Sequence, residues 1–221
     1  MTATLVVSPH LDDAVLGCGA WIAAHPGARV LTVFAGVPPD PATLTEWDAA
    51  CGFASAGEAI GARRAEDEAA CDLLGAQAEW MDWCDDQYRV PAPPGALAAA
   101  LGRALARHDP ATVAVPLGLF HRDHRLAHQA ALRLLPAEPR RVWYAYEDAL
   151  YRAIPGLVQR RLARLERQGV TVTPVTASAQ GAVKIRALAC YASQLRGLAT
   201  PGRPEHADAL AAERLWRLSR G

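Results

Sequence analysis

The chain opens on an unbroken apolar run, Leu5-Val6-Val7, that stops at Ser8-Pro9-His10-Leu11-Asp12-Asp13. The same habit returns along the sequence. Residues 28–35 and 112–117 are also continuous apolar runs, and shorter strands are predicted over 78–83, 141–146 and 170–175. Helical spacing fills the intervals, over 14–24, 61–74, 96–107, 125–135 and 156–168, with Gly75 ending the second of these. Two closing helices are predicted over 182–195 and 205–218, after the last strand. Strands without alternation are expected where helices cover both faces of a parallel sheet, so the chain reads as α/β from its first residues. Residues 36–60 keep no period and carry Pro38, Pro39, Pro41, Gly52 and Gly57. Loops of that length are usually functional or mobile. Trp47 and Phe53 within it are either a lid over a site or two pins that hold the loop down.

The polar residues that end the apolar runs carry the chemistry. In open α/β sheets ligands bind outside the carboxyl ends of the strands. The first strand delivers His10, Asp12 and Asp13 there. The strand over 112–117 delivers His121, Asp123 and His124. Adjacent buried carboxylates repel and lose hydration unless a cation or a reaction uses them. His10, Asp13 and His124 together offer two nitrogens and one oxygen, a catalytic zinc ligand set with a position left for water. A plainer reading makes Asp13 the N-cap of the helix from Ala14, which accounts for one carboxylate but not for two and a histidine. His128, four residues after His124, is read as packing behind the site. His25, His108 and His206 are read as surface residues.

Composition narrows the rest. At 221 residues with 51% hydrophobic content, a single domain spanning 1–221 is expected. Twenty-three basic and 23 acidic residues balance, which disfavours nucleic acid and anionic membrane as partners. The run Arg160, Arg161, Arg164 and Arg167 reads as the wet face of a helix. Cys18, Cys51, Cys71, Cys84 and Cys190 form no Cys-x-x-Cys pair, which argues against a zinc ribbon or a disulfide framework and for a reducing compartment. With no signal-like segment or apolar span, a cytoplasmic location is expected.

Pro9-His10-Leu11-Asp12-Asp13 with His121-Arg122-Asp123-His124 resembles the paired motifs of the PIG-L (LmbE-like) zinc-dependent de-N-acetylases. Arg63-Arg64-Ala65-Glu66 with Leu74-Gly75, Trp83 to Arg89, Tyr146-Glu147-Asp148, and Lys184 with Tyr191-Ala192-Ser193-Gln194 extend the resemblance over most of the chain. The sequence departs from the common family form at Leu11, Ala14 and Arg122, none of which removes a ligand or the base. The resemblance implies a Rossmann-like three-layer sandwich with a mostly parallel sheet. It implies hydrolysis of the acetamide of an N-acetylglucosamine-type conjugate, a small-molecule substrate, with a zinc ion held by His10, Asp13 and His124. Carried across by motif, Asp12 is the general base, His121 faces the oxyanion, Asp123 orients His121 and raises its pKa, and Arg63 and Asp85 contact the sugar. Tyr146 and Asp148 either line the pocket or cap a strand end.

An amide is a poor electrophile and neutral water a poor nucleophile, so a metal and a carboxylate off the metal are both needed. Iron or another divalent ion also suits a His₂Asp set. The runner-up function is an amidase for a non-sugar N-acyl amine or thiol conjugate. A non-catalytic Rossmann-like binding module is the reading of a different class, and it predicts a degraded metal site. No Gly-x-Gly-x-x-Gly follows the first strand, against a dinucleotide site. A homo-oligomer is compatible with this composition.

Overall fold

Consecutive residues of the first strand point to opposite faces, and both faces are dry. In the computed structural model, which describes residues 3–175, 181–199 and 206–220, Leu5 and Val7 pack into one apolar cluster and Val6 into another. The elements in chain order are β1 (Thr4–Ser8), α1 (Asp13–Ala23), β2 (Arg29–Thr32), α2 (Glu46–Ala50), α3 (Ala56–Leu73), β3 (Gln77–Trp80), α4 (Pro94–His108) and β4 (Thr112–Pro116). There follow α5 (Arg122–Leu134), β5 (Val142–Tyr146), α6 (Leu157–Arg167), β6 (Val170–Val175), α7 (Ala182–Ala189), α8 (Ala192–Leu198) and β7 (Leu215–Arg220). The strands form one sheet in the order β3-β2-β1-β4-β5-β7-β6. The first five are parallel, and β7 runs antiparallel between β5 and β6. Leu97, Leu101 and Leu105 of α4 and Ala127 and Ala131 of α5 cover one face; Val15 and Ile22 of α1, Ala70 of α3 and Leu188 of α7 cover the other. This is the expected mostly parallel three-layer sandwich.

The chain winds outward through β2 and β3 on one side of β1, then crosses to β4 and β5 on the other. The switch point therefore lies between β1 and β4, and the crevice at their carboxyl ends is where such folds bind ligands. Gly17 lets α1 sit close on the sheet, since a Cβ there would meet the Tyr146 ring at 2.7 Å.

Three elements depart from the sequence reading. The expected closing helix over 205–218 is a 3₁₀ turn, His206–Leu210, followed by strand β7. Leu215 and Leu218 are the buried residues of β7, and their spacing of three imitates a helix. Between β5 and β6 the segment satisfies backbone groups on both neighbours, which outweighs local propensity. The expected helix over 182–195 is broken into α7 and α8 around Tyr191, whose buried hydroxyl donates to Asp67 Oδ1 at 2.8 Å. The aperiodic stretch 36–60 holds α2 and the first turn of α3, capped by Thr45 and Ser55. It is pinned: Trp47 Nε1 donates to Gln194 Oε1 at 3.2 Å, and Tyr88 Oη donates to Asp48 Oδ2 at 2.9 Å.

Candidate active site

Helix α1 has no cap from its own acids. Asp12 holds the N-cap position without a capping bond, and Ser8, the last residue of β1, takes over. Its hydroxyl accepts the Ala14 N–H at 3.0 Å and donates to His10 O at 2.6 Å. Leu11, fully buried, anchors the turn. Both carboxylates are thereby released towards the crevice. Asp13 Oδ2 accepts the backbone N–H of His10 at 2.9 Å, which excludes the plain helix-capping role for that oxygen.

That same oxygen lies 3.0 Å from His10 Nδ1 and 3.1 Å from His124 Nε2. One oxygen and two ring nitrogens converge on one place from the ends of β1 and β4. Each ring is held from behind by a different acid. His10 Nε2 faces Asp123 Oδ2 at 3.1 Å, and His124 Nδ1 faces Asp148 Oδ1 at 2.5 Å. A ring that donates one N–H to a carboxylate presents the lone pair of its other nitrogen, the arrangement that supports metal-bound histidine. Burial disfavours charge on His10, yet Asp85, Asp123 and Asp13 raise its pKa well above the ordinary value. Burial likewise opposes charge on His124, but Asp13 and Asp148 carry it up to about 9. The acids thus call for positive charge, and the donor set fits a divalent cation. Among the described residues, two groups have ligand atoms that all lie within 4.8 Å of one another: His10, His121 and His124, and His10, Asp85 and Asp123.

The adjacent acids are driven apart. Burial would raise Asp13, but the His124 and His10 rings hold it well below the usual carboxylate range. The Asp12 carboxylate makes no helix-capping bond; burial, then repulsion by Asp13, push it up to about 7 against the pull of Arg63. A pair split in this way contains one fixed anion and one group able to exchange a proton near neutral pH.

His121 departs from expectation. It is the N-cap of α5, its Nδ1 accepting the Asp123 N–H at 3.2 Å. The proton of the neutral ring therefore sits on Nε2. Burial and repulsion by His10 and His124 lower its pKa, outweighing Asp123 and Asp85. The expected orientation of His121 by the Asp123 carboxylate is corrected: that carboxylate is turned to His10 and to the Asp86 N–H, 2.8 Å away. Only the backbone of Asp123 meets His121, because a carboxylate in the first turn of α5 reaches across to β1 more readily than back to the cap.

Arg63 and Asp85 both reach the cluster. Arg63 Nη1 is 3.8 Å from Asp85 Oδ2, and Asp85 Oδ1 is 3.8 Å from His10 Nε2. Arg63 is buried with Nε and Nη1 lacking hydrogen-bond partners. Arg122, which departs from the family motif, is paired with Asp86. Tyr146 is structural, its hydroxyl bonded to Val7 O at 2.9 Å. Asp148, left undecided by the sequence, is the acid behind His124; its position just past β5 was the available signal. His128 packs behind the site, bonded to Pro116 O at 2.7 Å. His108 is not a free surface residue, since its Nε2 lies 2.8 Å from Glu79. Arg161 turns inward to donate to Leu117 O at 2.8 Å, unlike the solvated face expected of it.

Residues 5–135 match the family described as PIG-L: GlcNAc-PI de-N-acetylase. No curated protein matches the chain. Among solved structures, a triple mutant of a deacetylase in the teicoplanin biosynthetic pathway is 25% identical with a TM-score of 0.83, over 100% of this chain and 99% of that one. An A40926 pseudoaglycone deacetylase is 28% identical with a TM-score of 0.78, over 99% and 98%. A 4-carboxy-2-hydroxymuconate hydratase from Pseudomonas putida, 22% identical with a TM-score of 0.64 over 99% and 96%, shares the fold alone. One fold therefore serves more than one reaction, and the family follows from the sequence match. That match covers more than half of the chain and includes every residue of the His10–Asp13 and His121–His124 clusters, so the chain belongs to the PIG-L family and is a deacetylase, a hydrolase of amides.

Proposed function

We propose that the protein is a zinc-dependent deacetylase that removes the acetyl group from an N-acetylglucosamine-type sugar conjugate, with residues 1–221 acting as one domain. One observation carries the metal assignment: His10 and His124 converge on a single Asp13 oxygen while Asp123 and Asp148 hold their far nitrogens. His10, Asp13 and His124 would hold the ion. When bound, it supplies a Lewis acid that polarises a carbonyl and acidifies water towards a pKa of ~7. Asp12 takes the proton of the attacking water and returns it to the departing amine, a task suited to a carboxyl poised near neutrality. His121 offers its Nε2 proton to the oxygen that becomes negative in the tetrahedral state. Asp123 and Asp148 keep the two ligand rings turned the right way.

The sugar assignment draws on the family description, which names a GlcNAc conjugate. The buried, unpartnered N–H groups of Arg63 beside Asp85 support it, since together they offer donors and an acceptor to a diol. No helix of the described residues is long and apolar enough to cross a membrane. All five cysteines are unpaired, which supports the expected cytoplasmic location.

The test is acetate release by the zinc-loaded protein from a panel of N-acetylglucosamine glycosides and non-sugar N-acetyl amines. Release from the glycosides, lost by about 10²–10⁴-fold in Asp12→Asn with bound zinc unchanged, is expected. Release from the non-sugar amines alone would refute the substrate assignment, and full activity in Asp12→Asn would refute the base.

A further inference from the structure

Phe120 is the most exposed large apolar side chain among the described residues, at 63%. It is not a loose surface ring. Its face is stacked on Tyr151, with centroids 5.4 Å apart and planes 29° apart. Tyr151 in turn lies over His121 at 6.4 Å and 19°, and meets the His124 ring edge-on at 5.2 Å. Three rings in series thus lead from the reacting centre to solvent, and the outermost is bare on one side.

The backbone beneath this stack is held in uncommon shapes. Phe120 has φ +44° and Leu150 φ +69°, a region that residues with a side chain rarely adopt. Leu150, with ψ −48°, sits at the centre of a three-residue turn closed by Tyr151 N–H to Ala149 O at 2.8 Å. Asp208 clamps that turn, accepting the Leu150 N–H at 2.7 Å and pairing with Arg152 at 2.9 Å. Such conformations persist only where surrounding structure enforces them, and they cluster at binding sites. Here they aim two aromatic rings. Val37, Leu44 and Ile154, also exposed, stand in the segments that follow β2 and β5.

Distance decides what meets the platform. A sugar whose acetamide lies at the cluster of His10, Asp13 and His124 occupies the space against His121. Phe120 stacks on Tyr151, which lies against His121, and is open to solvent, so it meets the group attached to that sugar. A phenyl face has no hydrogen-bonding group to offer hydroxyls, whereas it stacks readily on another ring, as it does on Tyr151. An aromatic ring is the partner such a surface recognises.

We propose that Phe120 and Tyr151 form an aromatic platform for the aglycone, that the aglycone presents an aromatic ring, and that Phe120 sets the preference for it; the position of the reacting sugar in this proposal rests on the deacetylase reading above. The experiment compares binding of the 2-naphthyl and methyl glycosides of N-acetylglucosamine to the zinc-loaded full chain by calorimetry, with acetate release scored separately. The wild-type protein is expected to bind the naphthyl glycoside about ten-fold more tightly, Phe120→Ala to abolish most of that ratio, and Phe120→Trp to keep it. A ratio near one in the wild-type protein, binding of neither glycoside, or a ratio unchanged in Phe120→Ala overturns the platform. Acetate release with a ratio indifferent to Phe120 leaves the deacetylase reading standing without the platform. Phe120-dependent binding without acetate release does the reverse.

Discussion

Lys184, the only lysine of the chain, is buried, and its removal makes a sharp test of how α1 is built. Helix α1 is interrupted at Cys18, where φ −146° and ψ 32° leave the helical region. In a regular helix the Ala20 N–H would donate to Leu16 O. Instead Ala20 and Trp21 donate to Glu213 at 2.7 and 2.9 Å, and Leu16 O accepts from Lys184 Nζ at 2.9 Å. Lys184 Nζ and Glu213 Oε1 close the bridge at 2.8 Å, with side chains 1% and 0% exposed. An ion pair has been inserted into a helical hydrogen bond. Lys184→Met leaves the Glu213 carboxylate buried without its cation, and such breaks cost roughly 3–5 kcal/mol. That is a large share of an ordinary domain stability of about 5–15 kcal/mol. Adding Glu213→Gln removes the stranded charge while keeping an acceptor for the helix, so the double variant should be more stable than Lys184→Met alone. Urea denaturation at pH 7.5 of the wild-type, two single and double variants closes the cycle. A loss below about 1 kcal/mol in Lys184→Met, or strictly additive losses in the double variant, would refute the splint.

Further outcomes can be checked alongside. Asp148→Asn removes the anion behind His124 and should weaken zinc binding about 10–100-fold in a chelator competition, with the fold retained; unchanged affinity would show that the contact is incidental. His128 is driven by burial and by Arg161 from the ordinary 6.5 to about 3, so the native state holds it neutral. Its contribution is complete above pH 6.5 and drains away as pH falls towards 3, by roughly 2 kcal/mol at pH 5, because the unfolded chain takes up the proton first. His128→Asn can keep a donor for Pro116 O without titrating, and should lose correspondingly less stability between pH 7.5 and 5; parallel stability curves would contradict this.

Much of this protein is legible along the chain, and the reason is local. Unbroken apolar runs mark strands buried on both faces, and the polar residues that end them must lie at the carboxyl edge of a parallel sheet. Placing His10, Asp12 and Asp13 in one crevice with His121, Asp123 and His124 needs little more than that rule and the paired motifs. The sequence by itself therefore determined the α/β class, the strand ends that bear the chemistry, and the identity of the converging donors. Pairings between distant segments were not readable in this way. Asp123 facing His10 rather than His121, Asp148 behind His124, and the stack of Phe120 on Tyr151 each depend on how β1, β4 and β5 lie side by side. The same holds for β7: Leu215 and Leu218 carry a helical spacing, and only the unpaired edges of β5 and β6 make a strand of them. Short-range preferences amount to a few tenths of a kcal/mol per residue, whereas a buried backbone group or charge without a partner costs several times more. Where the two disagreed, the tertiary structure decided, because only there can the long-range partners be found.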